Sequence, residues 1–271
     1  MFHSLRYALV LALATAPAAG LLHAQFGEYM RSGRPGQAIG TYAVGARTLQ
    51  GQHGVSVRSV EAGVNSTRTT VVGNVLRLGL TEDFEVSGVL RYQVDGTPND
   101  GDAVNPRNRS GFSSTQLGVR YNVTNESRNV PSVCVQTRLL LNTVGKDFER
   151  VGVGQTTIVA AGKGLGGRFG LTANVGFTNG GQVPGLRSFY ALALGFSASQ
   201  RLEFFVEGYG RLDDPDFAID GGIGYWINPD LKLDLSAGLE GFGGFEGDPV
   251  GLDADYFAEL GFSWRVDWRG E

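Results

Sequence analysis

Cysteine and histidine are scarce in this sequence. It contains one cysteine, Cys134, and three histidines, of which only His53 lies beyond the first 24 residues. A lone cysteine cannot form an intramolecular disulfide. Nucleophilic hydrolases commonly rely on a histidine base, and no serine-centred elbow occurs anywhere in the chain. The sequence therefore predicts that the protein is not an enzyme and that Cys134 is a small packing residue.

Long apolar runs are absent after residue 24. Before that point, Arg6 precedes an apolar run that ends near Ala16, and Ala24 offers a small-residue cleavage site before Gln25. This pattern predicts a secretory signal peptide over residues 1–24. A membrane-spanning helix needs about 20 apolar residues, and the rest of the chain contains no such stretch. The exported remainder is therefore either a soluble β-protein or a membrane β-barrel.

An excess of basic charge is also missing. Lysine and arginine total 23 against 27 aspartate and glutamate, which gives a formal net charge of −4 and argues against a nucleic-acid partner. The glycine pattern at residues 162–167 is followed by an alternating run, whereas a phosphate site needs a helix there. The acidic loop 213–216 lacks the spacing of a calcium loop. No cofactor and no metal site are predicted.

Glycine, in contrast, is abundant, at 42 of 271 residues, and alternation of apolar with polar or small residues dominates from residue 49 onward. Such a composition suits short turns and many strands and disfavours helices. The predicted strands share a length near the 9 to 11 residues that a tilted membrane strand requires. They cover residues 49–61, 69–80, 84–94, 113–123, 132–143, 155–163, 169–177, 188–199, 201–211, 218–227, 231–241 and 254–266.

The connections between these strands alternate between short and long. The clearest hairpin spans residues 218–242 and turns at Asn228-Pro229-Asp230, a cluster that favours a tight reversal. Short turns that alternate with longer loops, over an even number of strands, are typical of a bacterial outer-membrane barrel. We therefore predict an all-β fold, an antiparallel transmembrane β-barrel of about twelve strands over residues 49–271. Residues 25–48, which are glycine-rich and only weakly periodic, are predicted to form a periplasmic lead-in that either stays outside or enters the barrel mouth.

The polar faces of the predicted strands separate the two signs of charge. A basic wall on strands one to six comprises Arg58, Arg77, Arg91, Arg120, Arg138 and Lys163. An acidic wall on strands nine to twelve comprises Glu203, Glu207, Asp220, Asp234, Glu240 and Glu259. If the walls stand apart, they create a transverse field across a wet lumen. If they meet, they form a salt-bridged plug.

Five segments carry a resemblance to a known family. They are LRLGLTEDFEVSGVLRY (76–92), VAAGKGLGGRFGLTANVGF (159–177), FFVEGYG (204–210), DGGIGYWINPDLKLDLSAGL (220–239) and GFSWR (261–265). Over residues 38–266 the chain resembles the outer-membrane transporter-like proteins of the meta-pathway of phenol degradation. The resemblance implies an outer-membrane barrel and the passage of small aromatic compounds.

Three hypotheses for function follow. The first is an outer-membrane channel or transporter, in contact with outer-membrane lipid, through which small organic molecules diffuse along a charge-lined lumen. The second is a closed structural or adhesive barrel whose external loops bind a partner. The third is a soluble exported β-protein. Homo-oligomerisation stays open in all three.

Overall fold

The computed structural model describes residues 28–62, 65–96, 109–181, 185–213, 217–242 and 255–268. The predicted signal peptide lies outside these residues. Within them, the chain forms twelve strands and one short 3₁₀ helix, Lys146–Phe148. The strands are β1 (Thr48–Ala62), β2 (Asn65–Gly79), β3 (Phe84–Gly96), β4 (Arg109–Thr124), β5 (Ser132–Leu141), β6 (Gly154–Gly166), β7 (Phe169–Asn179), β8 (Arg187–Ser197), β9 (Leu202–Arg211), β10 (Phe217–Asn228), β11 (Leu231–Phe242) and β12 (Asp255–Asp267).

The twelve strands form one closed barrel. Each strand pairs antiparallel with the next in sequence, and β1 closes the sheet by pairing with β12 from Thr48 opposite Asp267 to Ser59 opposite Tyr256. Closure leaves no sheet edge, so the ladder hydrogen bonds are satisfied within the barrel wall. The predicted fold class, an antiparallel β-barrel of about twelve strands, is confirmed.

The two ends of the barrel differ in the length of their connections. At the short-turn end, residues 80–83, 167–168, 198–201 and 229–230 join neighbouring strands, and the longer connection 125–131 lies at the same end. The barrel chain also begins and ends there, because Thr48 pairs with Asp267. At the long-loop end, four of the six connections exceed six residues, while β1 and β2 are separated by only two residues. Strand β2 thus begins four residues earlier than the sequence predicts.

Burial in this barrel is inverted relative to a soluble protein. Outward positions carry large apolar side chains that are half exposed, such as Leu235 at 50% and Leu260 at 63%. Inward positions of the neighbouring strands carry polar side chains that are nearly inaccessible, such as Gln50 at 1% and Ser263 at 0%. An apolar exterior around a polar interior is the arrangement of a barrel that sits in lipid.

Aromatic side chains on the outward face lie towards both ends of the strands. At the short-turn end, the rings of Phe169 and Phe196 lie 5.0 Å apart across β7 and β8. Towards the long-loop end, Tyr92 and Phe112 make an edge contact at 5.5 Å. Aromatic rings at both interfaces anchor a barrel between the two headgroup layers. Among the helical residues that the structure describes, no helix is long and apolar enough to cross a membrane.

The apolar belt predicts a depth-dependent effect of charge. Leu235 lies near the middle of its strand, opposite Leu260 on β12, whereas Leu231 begins β11 opposite Trp264. In lipid vesicles, Leu235→Arg should lower the free energy of unfolding by about 2–4 kcal/mol and Leu231→Arg by about 0–1 kcal/mol, since an arginine is costly at mid-bilayer and cheap at the interface. Equilibrium unfolding in urea measures both. Equal effects at the two positions would contradict the lipid-facing assignment.

Candidate functional site

Residues 28–47, here called the lumenal segment, run inside the short-turn half of the barrel. The backbone N–H of Met30 donates to the carbonyl of Pro229 at 2.8 Å, and the indole of Trp226 donates to the Met30 carbonyl at 3.0 Å. Near the other end of the segment, the N–H of Val44 donates to the Glu85 carboxylate at 2.8 Å. The segment therefore passes from β10 and β11 on one side of the lumen to β3 on the other. The described part of the predicted lead-in lies within the barrel.

On the acidic wall, the segment supplies hydrogen-bond donors. The backbone N–H groups of Gln37 and Ala38 donate to the two carboxylate oxygens of Glu207, the second at 2.9 Å. The Arg34 guanidinium forms ion pairs with Asp234, at 3.1 Å, and with Glu259. Each of these carboxylates is thus compensated by a donor that comes from the segment rather than from the opposite wall.

The wall has a recess that fits Arg34. Gly54 on β1 faces Gly261 on β12 across the barrel seam, and a Cβ atom at either glycine would lie 2.3 Å from Nη2 of Arg34. Any larger side chain at these two positions would occupy the space of the guanidinium. The glycine pair therefore lets Arg34 lie against the wall between its two carboxylates.

Lys232 is a further member of this polar face that the sequence prediction omits. Its side chain is 1% exposed, and its ammonium donates to Glu203 at 2.5 Å and to the carbonyl of Arg34 at 2.8 Å. The ammonium also lies 4.7 Å from the ring centre of Trp226. Strand alternation could have revealed it, since Lys232 is two residues before Asp234 on the same face.

On the basic wall, the segment supplies acceptors. Arg120 donates to the carbonyls of Gly40 and Tyr42 at 3.2 and 3.0 Å. Arg77 donates to Tyr42 as well, at 2.9 Å, and forms a two-pronged pair with Glu85 at 2.8 Å for each bond. Glu85 is 1% exposed and also lies 3.7 Å from Arg120. A buried carboxylate and two backbone carbonyls therefore compensate these two guanidinium groups.

The two walls do not meet directly at these contacts. Carboxylates on one side hold the N–H groups and Arg34 of the segment, and arginines on the other side hold its carbonyls. A polypeptide backbone carries N–H donors and C=O acceptors in nearly equal number. One stretch of backbone can therefore form hydrogen bonds with both the acidic and the basic side chains of the wall. The arrangement matches neither expectation in full, because the walls stand apart at these contacts and the segment occupies part of the space between them.

The predicted wall residues can now be placed. Five members of the basic wall line one cavity in the lumen: Arg58, Arg77, Arg91, Arg120 and Arg138. Of the acidic wall, Glu203, Glu207, Asp220, Asp234 and Glu259 occupy inward positions, with Glu207 directly opposite Asp220. The side chain of Glu240 lies outside the part of the chain that the structure describes.

Lys163 differs from the five arginines, because it lines a second, smaller cavity and occupies an outward position in its strand. Its strand register pairs it with Leu171, on the face that carries Val159 and Leu165, whose side chains are exposed. The ammonium reaches the connection between β4 and β5, where it donates to the carbonyls of Ser127 and Arg128. A lysine near the end of a membrane strand can extend to the interface and keep its charge hydrated.

Two cavities lie beside the lumenal segment. The larger, about 510 Å³, lies against β12 and β1 to β5. The smaller, about 340 Å³, lies against β6 to β9, where the inward positions carry small residues such as Gly162, Gly170 and Ala193. Arg34 lines both cavities. The segment thus divides the space within the barrel.

Cys134 and His53 occupy opposite faces of the wall. Cys134 is fully buried beside the segment, with Sγ 3.6 Å from the carbonyl oxygen of Gly40. His53 faces outward, accepts a hydrogen bond from the indole of Trp264 at 2.9 Å and lies 2.7 Å from Asn74 Oδ1. Across the described ranges, no group of three or more His, Cys, Asp or Glu side chains is arranged to hold a metal ion.

A closed barrel with an apolar belt and a polar, charge-lined lumen has the architecture of outer-membrane channels and porins. Residues 32–243 match the family described as "Putative MetA-pathway of phenol degradation", and the chain belongs to this family. The resemblance noted from the sequence is thereby confirmed.

Solved structures share the fold. An outer membrane channel from Pseudomonas putida F1 superposes with a TM-score of 0.65 at 10% identity, over 86% of this chain and 99% of that one. The KdgM porin in complex with disordered oligogalacturonate gives a TM-score of 0.50 at 6% identity, over 80% and 98%. The NanC porin gives 0.50 at 10% identity, over 80% and 100%. No curated protein matches the sequence.

Removal of the carboxylate between Arg77 and Arg120 tests whether the charge network stabilises the barrel. Glu85→Ala should lower the free energy of unfolding by about 3–5 kcal/mol, because two buried guanidinium groups lose their counter-charge. The matched control is Glu126→Ala, since Glu126 and Lys163 form a partly exposed pair at 3.5 Å whose loss should cost less than about 1 kcal/mol. Urea unfolding in vesicles measures both. If Glu85→Ala lowers the free energy of unfolding no more than Glu126→Ala does, the charge network does not stabilise the barrel.

Proposed function

We propose that this protein is an outer-membrane channel through which small organic molecules, aromatic compounds among them, diffuse passively. The observation that carries the proposal is the cavity of about 510 Å³ inside the barrel, lined by charged side chains from β1 to β5 and β12. Membership of the phenol-degradation family and the fold shared with a channel and two porins support it. Bacterial outer-membrane localisation follows from the same proposal.

In this proposal the lumenal segment determines the width of the path. Barrels of about eight strands are filled by their own side chains, and those of 16 to 18 strands enclose a channel. A twelve-stranded barrel lies between these sizes, so an additional stretch of chain has a large effect on the free cross-section. Solute passes by one of two routes. It moves through the two cavities beside the segment, or it passes after the segment has shifted.

Planar-bilayer recording tests the proposal directly. Purified protein that shows heat-modifiable gel mobility, the sign of a folded barrel, should give discrete current steps. Replacement of residues 31–44 by a Gly/Ser linker of equal length should raise the unitary conductance at least about twofold, since it removes the side chains and the ordered backbone that narrow the lumen.

A tethered segment provides the matched control. The hydroxyl oxygens of Ser32 and Ser263 lie 2.8 Å apart, so Ser32→Cys with Ser263→Cys, in a Cys134→Ser background, can form a disulfide that holds the segment to β12. Its conductance should equal or fall below that of the native chain and should not rise above it. If the native and linker proteins both fold and neither carries current, the barrel is closed, and the structural or adhesive alternative replaces the channel.

A further inference from the structure

The cavity of about 510 Å³ has a strong imbalance of charge. Besides the five arginines of the basic wall, it is lined by Arg34 of the lumenal segment, and Glu259 is the one carboxylate among the described lining residues. Glu259 already pairs with Arg34. Six guanidinium groups thus share one space with a single lining carboxylate. Like charges in a partly desolvated site repel one another unless anions lie between them.

Three of these arginines are occupied by other parts of the protein. Arg34 pairs with Asp234 and Glu259, Arg77 pairs with Glu85, and Arg120 donates to Gln136 at 2.7 Å and to carbonyls of the lumenal segment. The guanidinium donors of these three arginines are therefore engaged in contacts within the protein.

Arg91 and Arg138 are not occupied in this manner. Neither guanidinium forms a hydrogen bond or an ion pair within the ranges that the structure describes, and Nε of Arg138 is buried with no partner there. Both residues line the cavity. Guanidinium groups that face a cavity inside the barrel and lack an acceptor from the protein favour an anionic ligand.

The wall is shaped to hold Arg138 in this position. Gly118 on β4 lies between Arg138 on β5 and Ser87 on β3, and a Cβ atom at Gly118 would lie 2.8 Å from Cγ of Arg138 and 2.7 Å from Oγ of Ser87. The side chain of Arg138 therefore packs over Gly118 on β4, the strand next to β3, which carries Arg91. Arg138 and Arg91 thus line the same cavity from nearby strands.

The rest of the lining is partly apolar. Val71 and Val75 of β2, Val89 of β3 and Phe257 of β12 contribute to the same cavity. The volume falls in the range of about 300–1,000 Å³ that is typical of small-molecule sites. Apolar walls disfavour small, strongly hydrated ions such as chloride and phosphate, and they favour a ligand with an apolar body.

We propose that this cavity is a binding site for small organic carboxylates with a compact apolar body, in which Arg91 and Arg138 bind the carboxylate and the valines and Phe257 contact the body. A carboxylate matches the guanidinium fork with two parallel hydrogen bonds. The inference rests on the proposed channel function, for which it names the substrate class.

Binding can be measured without any current, by saturation-transfer NMR titration of benzoate into the detergent-folded barrel. Benzyl alcohol, which has the same ring and no charge, and inorganic phosphate serve as comparison ligands. We expect benzoate to bind more tightly than either. Arg91→Gln and Arg138→Gln should each weaken benzoate binding about tenfold, because each removes charge-assisted hydrogen bonds to the carboxylate.

Lys163→Gln is the matched control, since it removes one positive charge from a residue that does not line the larger cavity, and its benzoate affinity should be unchanged. Heat-modifiable mobility verifies that every variant is folded. Equal affinity in all variants, binding of benzyl alcohol as tight as that of benzoate, binding of phosphate as tight as that of benzoate, or no binding of benzoate would each overturn the inference.

Conductance separates this inference from the proposed function. Current steps without benzoate binding would support the proposed channel and contradict the carboxylate site. Benzoate binding without current would support the carboxylate site and contradict the proposed channel. In a conducting barrel, Arg91→Gln should shift the reversal potential towards cations more than Arg120→Gln does, because Arg120 is already compensated by carbonyls of the lumenal segment.

Discussion

Compensation of buried charge is the constraint on which this structure depends. The exterior of the barrel is apolar, so the charged side chains of the wall face a narrow interior where water is limited. A charge in such a place is costly unless it meets an opposite charge or a hydrogen-bond partner. The carboxylates of β9 to β12 and the arginines of β2 to β5 each need partners, and most of them obtain these from residues 28–47.

The backbone of the lumenal segment is well suited to this task. A peptide chain offers an N–H donor and a carbonyl acceptor at almost every residue, so one extended stretch can contact an acidic wall and a basic wall in turn. Arg34 adds a positive charge where two carboxylates, Asp234 and Glu259, lie close together. The segment is thereby fixed by polar contacts on several sides. Such contacts need no apolar periodicity, and none is visible in its sequence.

This compensation is unequal along the barrel axis, and the proposed function depends on that inequality. In the short-turn half, Arg77 and Arg120 are held by Glu85 and by carbonyls of the segment, and they act as structural groups. Beyond the segment, Arg91 and Arg138 line a cavity and have no hydrogen-bond partner among the described residues. In the proposed channel, one row of basic residues therefore divides into a part that maintains the barrel and a part that binds solute.

Much of the barrel wall was predictable because a strand in a membrane has only two faces. The hairpin at residues 218–242 alternates cleanly, and its turn lies at Pro229 and Asp230 as the sequence indicates. Lys163 has an outward strand position, and its long side chain reaches the connection between β4 and β5 at the end of the barrel. Lys232 was overlooked, although the same alternation places it beside Asp234.

The sequence by itself determined the number of strands, the inverted faces and the separation of charge, since all three follow from a period of two repeated along the chain. Only the tertiary structure decided how those charges are satisfied. Arg34 is about 200 residues away in sequence from Asp234, and the recess that receives it is formed by Gly54 and Gly261 from the first and last strands, which pair at the barrel seam. Contacts of this kind depend on barrel closure and on the path of an irregular segment. Neither leaves a periodic signal in the sequence, because each is fixed by distances that exist only after the chain has folded.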